Sequence, residues 1–236
     1  MAILPCVYLV AGEGKRLRPL THDRPKAMVE IEGTSIAERA LRELRGAGIA
    51  EIVAVTGYRP EALAALDDLV SAERQNPRFE QTENVYSLWC ARDVVRGGCY
   101  IVNSDVLFES AIARRLVEAS GSAVLVASDH GVDEESMKAV VEGDRLLRLS
   151  KHESHVVNPE YIGLTRVAPE HGPLLAEILE EFVASERLDV YYESALEELA
   201  ARAPVGVARV DGLAWVEIDD HDDLARARDQ ILEQAA

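Results

Sequence analysis

Short apolar runs alternate along this chain with stretches whose apolar positions recur every three or four residues. Leu4–Val10, Ile52–Thr56, Tyr100–Asn103, Ala123–Ala127, Glu160–Val167 and Val205–Val210 read as strands. Between and after them, Thr34–Gly48, Pro60–Val70, Val85–Val95, Ile112–Ala119, Leu174–Ala184, Ser194–Ala201 and His221–Glu233 read as helices. Thr34–Gly48 has Ser/Thr at its start and Gly at its end, as helix caps require. Met137–Leu149 reads as a hairpin turning at Glu142-Gly143-Asp144. Strand and helix in alternation predict an α/β fold, with a mostly parallel sheet covered by helices on both faces. Ligands of such folds gather at the carboxyl ends of the strands. One domain over residues 1–236 is the economical organisation, with a small substrate-binding lid from about 130 to 200.

Charge narrows the set of partners. The 236 residues carry 42 Asp and Glu against 25 Lys and Arg, a formal net charge of −17. A field of that sign repels nucleic acid and anionic lipid. A polyanionic ligand must then meet a local basic patch or arrive with a divalent cation. Lys15, Arg16, Arg18, Arg24 and Lys26 supply such a patch against only Glu13 and Asp23. No apolar run is long enough to span a membrane. The apolar start lacks a basic leader and runs straight into a glycine turn, so it reads as a first strand rather than a signal peptide. Cys6, Cys90 and Cys99 are far apart, without metal-ligand spacing, and read as reduced thiols of a cytoplasmic protein.

The sharpest local signal is Leu9-Val10-Ala11-Gly12-Glu13-Gly14-Lys15-Arg16-Leu17-Arg18-Pro19-Leu20-Thr21, followed by Arg24-Pro25-Lys26-Ala27-Met28-Val29. A strand empties into small residues, so the backbone can approach a ligand and offer N–H groups to anionic oxygens. Lys15 and Arg16 add cations at the same place. A P-loop would need Ser or Thr after Lys15, where Arg16 stands. A dinucleotide fingerprint would need a third glycine at Leu17.

This string resembles the signature of the sugar-nucleotidyltransferase superfamily. The resemblance implies a Rossmann-like α/β fold with a small mixed-sheet substrate lid, an NTP and Mg²⁺ as reactants, and a phosphorylated acceptor. By position it implies that Val10, Ala11, Gly12 and Gly14 contact the nucleotide, together with Asn84 and Ser104. Lys15 and Arg16 would hold the triphosphate, and Lys26 would bridge the acceptor phosphate and the α-phosphate.

Two carboxylate stretches could hold the metal. Asp105 follows a buried strand in Asn-Ser-Asp-Val, where the sheet fixes an oxygen ligand; the same residue could equally cap the next segment. In Trp215-Val216-Glu217-Ile218-Asp219-Asp220, Glu217 and Asp219 alternate on a strand, so both face the same side. Two like charges side by side are costly unless a cation neutralises them. The resemblance marks Asp105 and Asp219 as the metal ligands, with Glu217 beside them. Asp220, Asp222 and Asp223 read as the cap and first turn of the last helix.

Three further stretches resemble the cytidylyltransferase branch, which includes phosphocholine and phosphonate cytidylyltransferases: Glu83–Leu88, Asp133–Lys138 and Tyr191–Leu196. The implied activity is CMP transfer from CTP to a small phosphorylated alcohol or phosphonate, releasing pyrophosphate, by a monomer or homodimer. Tyr86, Ser87, Lys151, Tyr161 and Glu193 are the expected acceptor-binding residues. Tyr86, Trp89, Tyr161, Tyr191, Tyr192 and Trp215 could face a quaternary ammonium, although each also suits a core. Glu193 or Glu135 could pair with an amine. His152 and His155 would suit an added acid function, or simply lie in a loop. A sugar 1-phosphate acceptor with UTP, and a non-catalytic nucleotide sensor, are the alternatives.

Overall fold

The computed structural model describes residues 3–129, 134–152 and 158–235. In chain order the elements are β1 (Cys6–Val10), β2 (Glu30–Ile31), β3 (Thr34–Ser35), α1 (Ile36–Gly46), β4 (Ile52–Thr56), β5 (Ala72–Gln75), α2 (Asn84–Cys90), α3 (Arg92–Val95), β6 (Cys99–Asn103), β7 (Val106–Phe108), α4 (Ser110–Glu118), β8 (Ser122–Ala127), β9 (Lys138–Glu142), β10 (Arg145–Ser150), β11 (Glu160–Val167), α5 (Gly172–Ala184), α6 (Glu193–Arg202), β12 (Val205–Arg209), β13 (Trp215–Glu217) and α7 (His221–Ala235). A nine-stranded sheet runs in the order β5-β4-β1-β6-β11-β8-β12-β10-β9. Its first four strands are parallel, and β8 pairs parallel with β12. β11 is antiparallel to both of its central neighbours. The result is the expected α/β sheet flanked by helices.

Alternation along single strands builds two cores. On β1, Cys6, Tyr8 and Val10 face α1 and α4, while Val7 and Leu9 face α2, α5 and α6. A strand buried on both faces must be apolar throughout, which is why these strands read as continuous runs. A third cluster joins Leu17, Val29, Ile31, Ile36, Leu107, Val216, Ile218 and Ala227 beneath α7. It ties the glycine turn to β7 and β13.

Four expectations are corrected. Glu160–Val167 was expected in the lid; it runs through the middle of the main sheet, because all eight of its residues are buried and need cover on both faces. The β9–β10 hairpin of the expected lid is real, but it forms one edge of that same sheet. Pro60–Leu66 is a 3₁₀ segment rather than an α-helix, and Val85–Val95 is two short helices divided at Ala91. Among the described residues no helix is long and apolar enough to cross a membrane. Cys6, Cys90 and Cys99 are free thiols.

Candidate active site

β1 and β6 point their carboxyl ends at one cleft of about 650 Å³, which Asn76, just after β5, also lines. Its floor begins where β1 gives way to Ala11-Gly12-Glu13-Gly14. The turn is held from three sides. Tyr58 donates its backbone N–H to the Ala11 carbonyl at 3.1 Å. Thr21 Oγ donates to the Gly14 carbonyl at 2.9 Å, which gives the Pro-Leu-Thr of the motif a physical task. Leu17 is fully buried in the third cluster and anchors the turn from below. Gly14 sits at φ +70°, and a Cβ there would lie 2.5 Å from Lys26 Cβ. Only glycine allows both the left-handed backbone and the close passage of Lys26. Above the turn, Lys15 and Arg16 stay largely exposed, with Lys15 3.6 Å from Glu13 and Arg16 2.8 Å from Asp219.

The carboxylates are brought together by a ladder too short to announce itself in sequence. β7 and β13 pair antiparallel, with Glu217 opposite Val106. The Ile218 N–H then donates to the Asp105 carbonyl at 2.9 Å, so Asp219 leaves the ladder beside Asp105. Asp223 Oδ2 accepts from the backbone N–H groups of Asp219 and Asp220, at 2.8 and 3.0 Å. Asp220 Oδ1 accepts in turn from those of Asp222 and Asp223. The acidic run is therefore the helix cap expected of it, and it fixes Asp219 as well.

Lys26 Nζ lies 2.8 Å from both Asp105 Oδ2 and Asp219 Oδ1. Burial works against its ammonium, but the two carboxylates outweigh that and push its pKa up. Burial also opposes ionisation of Asp219, yet Lys26 and Arg16 hold its carboxyl below the usual range. Glu217 goes the other way. Burial, then Asp105 and Asp219, push its carboxyl well up, with Lys26 only partly opposing. Oxygens of Asp105, Glu217 and Asp219 all lie within 4.8 Å of one another. Asp105 Oδ1 is buried with no hydrogen-bond partner. An all-oxygen donor set with an unsatisfied buried oxygen suits a hard divalent cation such as Mg²⁺.

Of the residues singled out in the sequence, Ala11, Gly12, Gly14, Lys15, Arg16 and Lys26 line the cleft. So do Asn84, Ser87, Ser104, Asp105 and Asp219. Asn84 also ties α2 to the start of α6, its Oδ1 accepting from the Tyr192 N–H at 2.7 Å. Val10 does not line the cleft; it lies in the core, 1% exposed. Tyr86 stacks on Trp89 with ring centroids 5.0 Å apart, and Arg78 and Arg92 cover the column. Tyr161 and Tyr192 are buried, with their hydroxyls 2.6 Å apart. Trp215 is buried as well, so the six aromatics form no common cage. Lys151 lies 3.8 Å from Glu135 and 5.3 Å from the ring centre of Tyr191. Burial pushes the Glu193 carboxyl up to about 7. Asp133 and His155 lie outside the described residues, and His152 is exposed.

Asn76, Phe79, Thr82, Asn103 and Asp189 also line the cleft and were not singled out. Asn103 carried a usable signal: it is the polar last residue of an apolar strand, at the carboxyl end where ligands gather. The others sit in loops without a pattern.

The family of MobA-like NTP transferase domains matches residues 6–201, and the chain belongs to that family. Its likeness reaches particular members. It is 28% identical over 241 residues to the "Bifunctional IPC transferase and DIPP synthase" of Aquifex aeolicus, covering 97% of this chain and 52% of that protein. It is 29% identical over 236 residues to the "CMP-5'-(3-aminopropyl)phosphonate synthase" of Streptomyces rubellomurinus, covering 94% of this chain and 38% of that one. The chain thus spans about half or less of the length of these two relatives. The structure of the CTP:phosphocholine cytidylyltransferase LicC from Streptococcus pneumoniae matches with a TM-score of 0.84 at 20% identity, over 98% of this chain and 100% of that one. That likeness shows the fold.

Proposed function

We propose that the chain transfers CMP from CTP to a small phosphorylated alcohol or phosphonate and releases pyrophosphate. The observation that carries this is Lys26 Nζ held 2.8 Å from both Asp105 and Asp219 at the mouth of the glycine turn. A phosphate monoester's second pKa is about 6, so the acceptor oxygen is already ionised near neutral pH and needs no base. The protein's task is then to position two anions against each other and neutralise them. Backbone N–H groups of the turn face phosphate oxygens, and Lys15 and Arg16 reach the triphosphate from solvent. Lys26 stays protonated at Nζ because its two carboxylates raise its pKa, and it stabilises charge growing on the α-phosphate. Asp105 and Asp219, with Glu217 alongside, would hold Mg²⁺, which supplies charge neutralisation between acceptor and α-phosphate when bound.

The choice of CTP and of a phosphonate or phosphocholine-like acceptor is supported by what the relatives' names describe, and by the sequence resemblance in the stretches around Asn84 and Glu193. The test is product identity. Purified protein, CTP, Mg²⁺ and a panel of phosphorylated alcohols, phosphonates and sugar 1-phosphates should give pyrophosphate and a product heavier than the acceptor by one CMP residue. A product formed only from sugar 1-phosphates would put the chain with the sugar-directed enzymes.

A further inference from the structure

The chain just after β4 touches two lips of the cleft from behind. Ala11, where the glycine turn begins, lines one lip, and Phe79, from the loop between β5 and α2, lines the other. They meet at Gly57. A Cβ there would lie 2.8 Å from Phe79 Cβ, 2.8 Å from the Ala11 carbonyl oxygen and 2.9 Å from Ala11 Cβ. A side chain at 57 would force the two lips apart.

Tyr58, the next residue, reaches three segments at once. Its backbone N–H donates to the Ala11 carbonyl at 3.1 Å. Its ring meets that of Phe79, with centroids 6.3 Å apart and planes tilted by 59°. Its hydroxyl donates to the His22 carbonyl at 2.7 Å, which fixes the direction of the ring. The Arg59 guanidinium lies 5.8 Å from the ring centre on a backbone at φ +48°. A non-glycine residue in that region is uncommon, and such strain gathers where a fixed placement is needed. The loop carrying Phe79 is closed at its base by Asn76. Asn76 Oδ1 accepts from the Arg78 N–H at 2.8 Å, and Nδ2 donates to Ser87 Oγ at 2.9 Å. Asn76 thus fixes the base of the loop, and Tyr58 receives its tip.

We propose that Tyr58 is a positioning residue whose ring couples the glycine turn to the loop at Phe79, so that one nucleoside triphosphate is held by both lips at once. This rests on the transferase reading above and gives a task to a residue outside the cleft lining. The turn keeps its own supports whatever side chain stands at 58, because Thr21 and the Tyr58 backbone N–H hold it. The ring adds the fixed distance to the far lip. A ligand that spans both lips gains from that pre-organisation, and one that reaches the turn alone does not.

Calorimetric titration of the full chain in Mg²⁺ tests the coupling. The ligands are whichever of CTP, UTP, ATP and GTP binds wild type most tightly, and inorganic triphosphate, which reaches the turn and its cations alone. Tyr58→Leu should weaken the nucleotide about 10-fold, the scale of one aromatic contact, and triphosphate by less than about 2-fold. Tyr58→Phe keeps the ring and should recover most of the nucleotide affinity. If Tyr58→Leu does not fold, Gly57→Ala replaces it with the same expectation, since its methyl group pushes Phe79 away from Ala11. An equal loss for nucleotide and triphosphate overturns the proposal, because it would mark Tyr58 as general support. So does an unchanged nucleotide affinity, a Tyr58→Phe variant as weak as Tyr58→Leu, or a wild type that binds none of the four nucleotides. Protein that shows the expected split yet releases no pyrophosphate with any acceptor would sink the transferase reading and leave the coupling standing.

Discussion

The two walls of the cleft are assembled from very different lengths of chain. One continuous stretch, Ala11 to Met28, carries the glycine turn, Lys15, Arg16, Leu17, Thr21 and Lys26, and each residue's task depends on its neighbours in that stretch. The facing wall takes Asn76 from the loop after β5, Asn84 and Ser87 from α2, Asn103 and Ser104 from the end of β6, and Asp189 from the loop before α6. The first wall is polar, open and basic. The second is built mostly from amide and hydroxyl side chains. A local wall can be recognised as a word in the sequence; a wall built from distant segments becomes legible only when the sheet brings its parts together.

The largest expected effect lies where the walls meet. Asp105→Asn and Asp219→Asn each remove one anionic oxygen from the group that faces Lys26, while keeping the side-chain shape. Each should lower kcat by about 10²–10³-fold or more, the scale of losing one preorganised charge-stabilising group. The circular dichroism spectrum should stay unchanged. Near-normal rates in both variants at saturating Mg²⁺ would remove the carboxylates from the chemistry.

Lys26→Ala should follow closely, with a fall of about 10²–10³-fold in kcat. An effect confined to the KM for CTP would mean that Lys26 only binds substrate. The Ala variant also leaves Asp105 and Asp219 facing each other without their shared cation, which loses stability. A urea melt should therefore show lower stability without Mg²⁺, with partial recovery when Mg²⁺ is added.

Gly14→Ala perturbs the same wall through its backbone. The φ of +70° and the 2.5 Å approach of Lys26 Cβ oppose any side chain there. The left-handed backbone alone costs about 1–2 kcal/mol. A lowered melting temperature together with a lowered kcat is expected. A variant as stable and as fast as wild type would show that the turn relaxes freely.

Glu193, buried at the start of α6, should give the smallest effect, and one that depends on pH. The Glu193 carboxyl is raised to about 7 by burial, so the folded state holds its proton where the unfolded chain has lost it. Its contribution to stability is full below the ordinary glutamate range near 4.3 and is lost as pH rises to about 7. The difference in melting temperature between wild type and Glu193→Gln should therefore drift across pH 5 to 7 and level off above. A flat difference would contradict a raised carboxyl.

Legibility in the sequence followed burial and continuity. β1, β4, β6, β8 and β11 are buried on both faces and stood out as mostly apolar runs. β5 reads Ala-Glu-Arg-Gln and was missed, because an edge strand half exposed to water needs no apolar run. β7 was missed because it has only three residues; the stretch of β13 reads as a strand through the alternation of Glu217 and Asp219, but its partner does not show in the sequence. Yet their pairing delivers Asp219 to Asp105, so the joint recognised by resemblance had no local pattern to derive it from. Glu217 was placed beside the metal ligands, and the structure brings its carboxylate into the same group of oxygens. Asn103 was legible only as the polar end of a strand, while the room for its side chain is set by Gly163, sixty positions away.

The central claim is nucleotidyl transfer from CTP at the Lys26–Asp105–Asp219 site. The most direct test is the rate of acceptor-dependent pyrophosphate release with CTP, UTP, ATP and GTP, measured in Mg²⁺ with the best acceptor found. CTP should far outpace the other three, and Lys26→Ala should abolish most of that rate. Turnover with UTP equal to or better than with CTP, or pyrophosphate release untouched by Lys26→Ala, would contradict the account.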